Sequence, residues 1–329
     1  MFRCRCRFVL TAMLTATGLV GKGQDPHAIS LESMKIWYNP ALKTDKEPLV
    51  NINYRKVDYP GILSYNSKSA TLELPFVPAD EYNNDNVPYA SLALGINVDN
   101  AGNRLMNASA AMLGLAYALP LDYNNTYLAL GLQVNWSFNK VGNGQTITFP
   151  SKFDQAGALN WSLQMDPYQS GYNFNFFTVG TGFSFFHSGE KSQWYAGGSV
   201  RDFNHPYTEW NRANRLQTSY GIQSGYTLTF NSEWQAATFV NLYWQNGPVT
   251  NDHEQMFSCS ASRTINVSDS SSFKVSLGMG IRPADALMPM VSFHYGKSQF
   301  MIYFELNSPG VASRNYNRKA LDVSYNLNF

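Results

Sequence analysis

Residues 127–138 read YLALGLQVNWSF, and this stretch decides the fold of the chain. Aliphatic and aromatic side chains occupy every second position from Leu128 to Phe138, while small or amide residues such as Gly131 and Gln133 lie between them. Side chains of a β-strand point alternately to opposite faces, so the pattern predicts a strand with one apolar and one polar face. Because the polar face carries Gly, Ser, Asn and Gln rather than charge, we expect it to line a barrel lumen and the apolar face to meet lipid.

The same alternation recurs along the chain in about 14 segments, with 12 to 16 as the range. The fold class that we predict is all-β, a transmembrane, antiparallel outer-membrane β-barrel with a lumen lined by small polar residues. The uncharged stretch Leu105–Leu121 also permits a membrane helix, but Asn107 and Pro120 within it favour a strand. We expect strands to begin near Val50, Leu63, Tyr89, Met106, Thr126, Asn173, Gln193, Arg215, Trp234, Glu254, Phe273, Met288, Gln299 and Lys319.

The composition of the 329-residue chain excludes several other classes of protein. Charged residues make up 14%, aromatic residues make up 15%, and the formal net charge is +1. Many aromatic residues and little net charge argue against intrinsic disorder. The lack of a basic excess argues against binding of nucleic acid. A mean hydropathy of −0.28 is too low for a bundle of membrane helices.

The first 23 residues are predicted to be a signal peptide. Three arginines precede an apolar run from Phe8 to Val20, and Gly21 and Gly23 supply the small residues that signal peptidase accepts. The run is shorter than the roughly 20 residues of a spanning helix, which disfavours a membrane anchor. Without these residues the chain has 20 basic groups, 23 acidic groups and a single cysteine, Cys259, so no internal disulfide can form.

Loop lengths predict the orientation of the barrel. We expect residues 24–48 to form a periplasmic segment and residues 49–329 to form the barrel. The long connections are Asn139–Tyr172, Asp202–Asn214 and Ser308–Arg318, and shorter turns alternate with them. Outer-membrane barrels have short periplasmic turns and long external loops, so both termini are expected in the periplasm.

The carboxyl terminus has the features of a barrel-insertion signal. Tyr325, Leu327 and Phe329 share the apolar face of the last predicted strand, and the chain ends on the aromatic residue. Aromatic carboxyl termini are common among barrels that are delivered to the insertion machinery of the bacterial outer membrane. We therefore interpret these three residues as the insertion signal.

Short motifs are spread over nearly the whole mature chain. Near its start lie Gln24-Asp25-Pro26-His27, Asn39-Pro40-Ala41, Asn53-Tyr54-Arg55 and Pro60-Gly61. Later, His205-Pro206 follows the glycine-rich strand Tyr195–Val200. Together these motifs resemble the PorP/SprF family of Bacteroidota outer-membrane proteins.

The resemblance implies an outer-membrane component of type IX secretion or of the linked gliding machinery. It implies that the protein binds a secreted, adhesin-like surface protein through its C-terminal sorting domain and helps to display or attach it. The expected partners are this cargo, other type IX secretion components and outer-membrane lipid, with no nucleic acid. The candidate partner contacts are Gln24, Asp25, Pro26, His27, Asn39, Pro40, Ala41, His205, Pro206 and Trp210, the last in a predicted external loop.

Two other functions stay open on the residues alone. A passive channel or a hydrophobic-solute transporter would use a barrel of the same size. An outer-membrane lipase would need a serine beside a histidine that is oriented by a third group, but the five histidines are scattered and no G-x-S-x-G motif occurs. The acidic residues Asp80, Glu81 and Asp85 lack the spacing of an EF-hand. We therefore expect no enzymatic activity, no cofactor and no bound metal.

Overall fold

The computed structural model of the chain describes residues 31–58, 64–78, 87–102, 106–121, 125–141, 172–207, 215–246, 251–268, 271–283, 285–307 and 319–329. In these residues a short helix precedes fourteen strands, each antiparallel to its neighbours, and the sheet closes into a barrel. The structure thus confirms the predicted fold and strand number. The elements are α1 (Leu31–Tyr38), β1 (Leu49–Asp58), β2 (Tyr65–Phe76), β3 (Tyr89–Ala101), β4 (Met106–Pro120), β5 (Thr126–Val141), β6 (Tyr172–Ser188), β7 (Ser192–Arg201), β8 (Ser219–Thr229), β9 (Trp234–Asn246), β10 (Asn251–Ser268), β11 (Ser271–Arg282), β12 (Ala286–Tyr295), β13 (Ser298–Asn307) and β14 (Lys319–Asn328).

The barrel closes where its first strand pairs with its last. The register of β1 and β14 runs from Leu49 opposite Asn328 to Asp58 opposite Lys319. Next to this ladder, the Phe329 N–H donates to the carbonyl oxygen of Pro48 at 3.2 Å. An unpaired backbone group in hydrocarbon costs several kcal/mol, so a closed sheet without an edge is the stable arrangement of strands in a membrane.

Alternation along the strands separates lipid-facing from lumenal side chains, as predicted. In β5, Leu132 is 60% exposed on the outer face, while its neighbour Gln133 is 1% exposed inside. In β1, Ile52 points outward, and Asn51 and Asn53 are buried in the lumen. The uncharged stretch that permitted a membrane helix forms strand β4, so the helix alternative is wrong. No helix among the described residues is long and apolar enough to span a membrane.

The two ends of the barrel differ in the connections that they carry. The end where β1 begins and β14 finishes, termed the terminal end, has short turns at 230–233 and 296–297, with 77–88 as a longer exception. The opposite end, termed the loop end, has the longer connections 142–171 and 202–218. The longest connections therefore lie at the loop end, whereas short turns occur at both ends. The side of the membrane that each end faces stays a prediction.

The lumen is filled from two sides, which the predicted lining of small polar residues does not describe fully. On one side lie residues 31–48, the described part of the segment that precedes the barrel, with Ile36, Asn39 and Leu42 buried. On the other side, β10–β14 and β1 project buried methionines and charged groups inward besides serines and asparagines. This inner structure provides the candidate functional site.

Candidate functional site

Asn39 holds the amino-terminal segment to the inner wall of the barrel. Its Nδ2 lies 3.1 Å from the carbonyl oxygen of Phe183, 3.2 Å from that of Gly198 and 3.2 Å from the Oε1 of Gln223. Its Oδ1 accepts a 2.9 Å hydrogen bond from the backbone N–H of Ala41. The side chain has no exposed surface. One amide thus contacts β6, β7 and β8 together, and this set of contacts is termed the clasp.

The local sequence places Asn39 by ending α1 just before it. A proline disfavours helical geometry in the preceding residue and has no N–H of its own, so α1 ends at Tyr38, two residues before Pro40. The Asn39 N–H still donates to the carbonyl oxygen of Lys35 at 3.0 Å, and the Leu42 N–H donates to that of Asn39 at 3.2 Å. The chain therefore makes a compact turn that presents the asparagine side chain to the wall.

Glycines on the wall allow the segment to approach the strand backbones. A β-carbon on Gly131 would lie 2.7 Å from the carbonyl carbon of Pro40. A β-carbon on Gly182 would overlap the Oδ1 of Asn39, and one on Gly197 would lie 3.0 Å from its Nδ2. These separations are shorter than normal van der Waals contact, so the close approach requires glycine. The glycine track is defined as Gly95, Gly131, Gly182 and Gly197.

Beyond the clasp, the segment is held at successive residues. The Ser184 hydroxyl donates to the carbonyl oxygen of Ala41 at 2.5 Å, and the Tyr89 hydroxyl donates to that of Lys43 at 2.9 Å. The Lys43 ammonium lies 3.7 Å from the carboxylate of Glu73, and both side chains are buried. Burial lowers the pKa of Lys43, and the Glu73 charge opposes this shift. The segment is thus bound by specific polar contacts as well as by shape.

Arg201 of β7 contacts the helical part of the segment. Its Nη1 donates to the carbonyl oxygen of Trp37 at 3.3 Å. Its guanidinium carbon lies 5.7 Å from the ring centroid of Tyr38 and 5.0 Å from that of Tyr243, within the range of cation–π attraction. A β-carbon on Gly95 would lie 2.8 Å from the Trp37 ring, so the track also accommodates the helix.

The opposite half of the lumen is filled by its own side chains. Met256, Met288 and Met301, from β10, β12 and β13, are buried and belong to one hydrophobic cluster. Methionine is unbranched and flexible, so it fills irregular gaps. The methionine layer is defined as Val57, Met256, Ala286, Met288, Met301, Tyr303 and Ala320.

A buried charge cluster adjoins the methionine layer. The Glu305 carboxylate accepts from Arg282 at 2.7 Å and from Arg55 at 3.2 Å, and Arg282 lies 3.3 Å from Asp285. The Nη2 of Arg282 also lies 3.8 Å from the Sδ of Met288. Arg55, Arg282 and Glu305 are almost fully buried, and buried charges require partners. The cluster therefore connects β1, β11 and β13.

A cavity of about 700 Å³ remains at the terminal end of the lumen. Residues 44–47 of the segment border it on one side, and Met301 is part of its lining. Hydroxyl and amide side chains of β8–β14 form much of the rest, including Ser262 and Ser276, whose hydroxyls are 2.8 Å apart. Residues 44–47 of the segment thus border open space rather than packed protein.

His205 and Pro206 belong to a fixed turn at the loop end, residues 202–207, termed the rim turn. His205 has a φ of +46°, a conformation that residues other than glycine rarely adopt. Its Nδ1 lies 3.0 Å from the carbonyl oxygen of Leu216, and this contact helps to hold the turn. Phe203 is 44% exposed on the turn. The rim turn therefore presents an aromatic side chain in a defined position.

The structure places the predicted site residues in separate regions. Asn39, Pro40 and Ala41 are in the lumen, and their contacts are with the wall of their own barrel. Tyr325 and Phe329 are exposed on the outer face of the carboxyl-terminal end, and Leu327 shares their face of the strand. The roles of all these residues as partner contacts or insertion signal stay predictions. Gln24, Asp25, Pro26, His27 and Trp210 lie outside the described residues.

Sequence reasoning missed the glycine track, the methionine layer and the charge cluster. For the charge cluster the sequence did carry a signal, because Arg55, Arg282 and Glu305 all occupy inward positions of their strands, where charges must be paired.

Two described histidines bond to groups other than a serine: His187 lies 3.3 Å from the Thr126 hydroxyl, and His294 lies 3.0 Å from a backbone carbonyl. The residues that the structure describes contain no group of three or more His, Cys, Asp or Glu side chains able to hold a metal ion.

A closed fourteen-stranded barrel with an apolar outer surface and a buried polar interior defines an integral outer-membrane β-barrel protein. Solved structures with this fold include a Pseudomonas aeruginosa FadL homologue, with a TM-score of 0.51 and 8% identity over 88% of this chain and 92% of that one. The Pseudomonas putida toluene transporter TodX has a TM-score of 0.46 and 8% identity over 95% and 97%. At 8% identity, the match to the FadL homologue shows the fold alone.

The sequence of the chain identifies the family to which it belongs. The family model of the type IX secretion system membrane protein PorP/SprF matches residues 20–325, so the chain belongs to the PorP/SprF family. It is an outer-membrane component of type IX secretion, and the family implies other components of that system as partners. The matched family is one of secretion-system membrane proteins, not of enzymes. A search of curated proteins finds no match.

Proposed function

We propose that the protein anchors a secreted surface protein at the outer membrane by binding its C-terminal sorting domain at the loop end. Membership of the PorP/SprF family is the observation that carries this proposal. Both termini then lie in the periplasm, and the loop end faces the outside. Other type IX secretion components contact the barrel from the periplasm, and Gln24-Asp25-Pro26-His27 is a candidate contact for them.

The rim turn supports the proposal because it offers a preformed contact surface at the loop end. Phe203 is exposed there, and Arg215 donates to the Tyr207 hydroxyl at 2.7 Å. The guanidinium of Arg215 also lies 4.5 Å from the ring centroid of Tyr207. Aromatic and arginine side chains held in place are typical of the residues that dominate protein–protein interfaces.

The filled lumen favours an anchor over a conduit. In the described part of the chain, the clasp, the methionine layer and the charge cluster all occupy the barrel interior. A passive channel needs a continuous aqueous path between the two ends. The proposal therefore predicts no stepwise conductance of the wild-type protein in planar bilayers, whereas the channel alternative predicts discrete conductance steps.

Surface display in a strain that lacks the gene for this protein tests the proposal. The reporter is a fluorescent protein fused to the C-terminal sorting domain of a type IX secretion cargo. We expect the wild-type gene to restore surface fluorescence and the double variant Phe203→Ala, Arg215→Ala to restore several-fold less. Phe230→Ala is the matched control, because Phe230 is 65% exposed at the terminal end. Full display in the deletion strain would contradict the proposal.

A further inference from the structure

We propose that the glycine track and the side chains around it form a peptide-binding groove, with residues 39–43 as its resident ligand rather than an integral part of the barrel. The ligand class is a polypeptide segment that presents an Asn-Pro-Ala turn. The groove lies inside the lumen and not at the loop end, so this inference does not depend on the function proposed above.

The groove recognises asparagine through the NH2 end of its side-chain amide. The Nδ2 of Asn39 faces two strand carbonyls and the Oε1 of Gln223, while its Oδ1 accepts from the backbone of the turn. Gln223 is oriented in turn, because its Nε2 donates to the Oδ1 of Asn241 at 3.2 Å. An aspartate in place of Asn39 would bring a carboxylate against two carbonyl oxygens. An alanine would lose all of these hydrogen bonds.

The next two positions of the ligand are recognised by shape. Pro40 lies so close to Gly131 that a β-carbon there would be 3.0 Å from the Pro40 Cβ. Ala41 has no exposed surface, and its carbonyl oxygen accepts from the Ser184 hydroxyl. A side chain larger than that of alanine would have to displace the wall. Each residue of the Asn-Pro-Ala turn is thus matched by a feature of the groove.

The wall that forms the groove is complete without its ligand. β5 and β6 pair continuously from Thr126 opposite His187 to Val141 opposite Tyr172. The β6–β7 and β7–β8 ladders also run without a register shift. Residues 31–48 add no strand to the sheet. A carbonyl oxygen has two lone pairs, so a strand carbonyl can accept from Asn39 in addition to a neighbouring strand. The groove therefore belongs to the folded barrel.

The segment has a route out that leaves the barrel intact. Residues 44–47 border the 700 Å³ cavity, and Asp45 and Glu47 are exposed. Movement of residues 39–43 into the cavity would break the clasp, the Lys43–Glu73 pair and the hydrogen bonds from Ser184 and Tyr89, but no hydrogen bond between strands. A complete wall on one side and open space on the other are the features expected of an exchangeable ligand.

Exchange of the segment after its covalent link to β1 is cut tests the inference. A specific protease site is inserted between Asp45 and Lys46 of the full chain, and the folded barrel is cut in detergent. A fluorescein-labelled peptide of residues 31–45 is added, and its fluorescence anisotropy is followed. We expect saturable binding of this peptide as the cut fragment leaves. The Asn39→Ala peptide should bind about tenfold more weakly or worse, because several hydrogen bonds are lost.

Two wall variants provide the controls. Gly182→Ala places a β-carbon where the Asn39 side chain lies, so it should abolish peptide binding. Gly114→Ala should leave binding unchanged, because its β-carbon would meet wall atoms only, the nearest being the Ala93 Cβ at 3.3 Å. Heat-modifiable migration on gels reports whether each barrel is folded.

The comparison of the wild-type and Asn39→Ala peptides uses an unaltered barrel wall. It therefore tests the inference even where Gly182→Ala does not fold. The inference is overturned if the labelled peptide never exchanges with the cut fragment. It is equally overturned if wild-type and Asn39→Ala peptides bind with the same affinity. Neither outcome bears on surface display of the reporter.

Discussion

The two halves of the lumen are filled in different ways. The half formed by β3–β8 carries the glycine track and is filled by a separate stretch of chain, residues 31–48. The half formed by β10–β14 and β1 is filled by its own methionine layer and charge cluster. Protein interiors are closely packed, and the small inward residues of β3–β8 are accordingly covered by another segment, whereas the inward serines of β10–β12 at the terminal end border the open cavity. Large inward residues mark a wall that needs no such cover.

The half formed by β10–β14 and β1 is termed the self-filled half. Removal of its Glu305 carboxylate should lower the free energy of unfolding more than any other change considered below. Glu305→Ala leaves two buried arginines without their shared carboxylate, so we expect the free energy of unfolding to fall by about 3–5 kcal/mol. Urea unfolding in lipid vesicles, followed by tryptophan fluorescence, measures it. Glu233→Ala is the control, since its pair with Arg263 is exposed and should be worth less than about 1 kcal/mol. Equal losses would show that the cluster does not hold this half together.

The methionine layer should give the next largest effect. Met288→Ala removes a fully buried side chain and leaves a cavity, so we expect a loss of about 2–5 kcal/mol in the same unfolding experiment. Met279→Ala is matched to it, because Met279 is on the neighbouring strand with its side chain partly exposed on the outer face. A smaller loss for Met279→Ala would confirm that this half depends on its inward side chains.

Substitution of an inward glycine should have different effects on stability and on tryptic cleavage in the two halves. Gly131→Ala forces a β-carbon against the Pro40 backbone, which should cost about 1–3 kcal/mol and make Lys43 accessible to trypsin. Gly280→Ala, in the self-filled half, would approach the flexible end of Met288 at 3.0 Å, and that side chain can move aside. Limited proteolysis of both variants measures the difference. Identical digestion patterns would contradict the assigned role of the track.

The smallest effect is expected for a single hydroxyl. Ser184→Ala removes one hydrogen bond to the segment and should cost about 0.5–1.5 kcal/mol. Ser262→Ala removes the bond to Ser276 in the other half and should cost a similar amount. Only Ser184→Ala should raise the rate of tryptic cleavage in the segment. If Ser262→Ala raised it equally, the two halves would not be independent.

Strand alternation predicted the fold because lipid and lumen impose opposite requirements on successive residues. Met106, Trp234 and Lys319 begin strands as predicted. The start of β8 differs most, since the pattern suggested Arg215 and the strand begins at Ser219. The reason is local: Arg215 forms an isolated bridge with the rim turn and not with the barrel sheet.

The contents of the lumen could not be predicted in the same way. Alternation states which face a side chain occupies, but not what lies opposite it across the barrel. Asn39 meets Gln223 from a position 184 residues earlier in the chain, and no local pattern encodes that contact. Asn39 could be recognised only as part of a family motif. Inward Arg55, Arg282 and Glu305 indicated that partners exist, while the identity of each partner depended on the closed barrel.

Closure between the first and last strands orders the events of assembly. The amino-terminal segment is synthesised first, yet most of its binding surface lies on the later strands β3–β8, and Pro48 at its end is bonded to Phe329. We therefore expect residues 31–48 to take their place in the lumen only after the later strands of the barrel have formed. A chain cut short before β14 would lack both its closing strand and the hydrogen bond that holds Pro48.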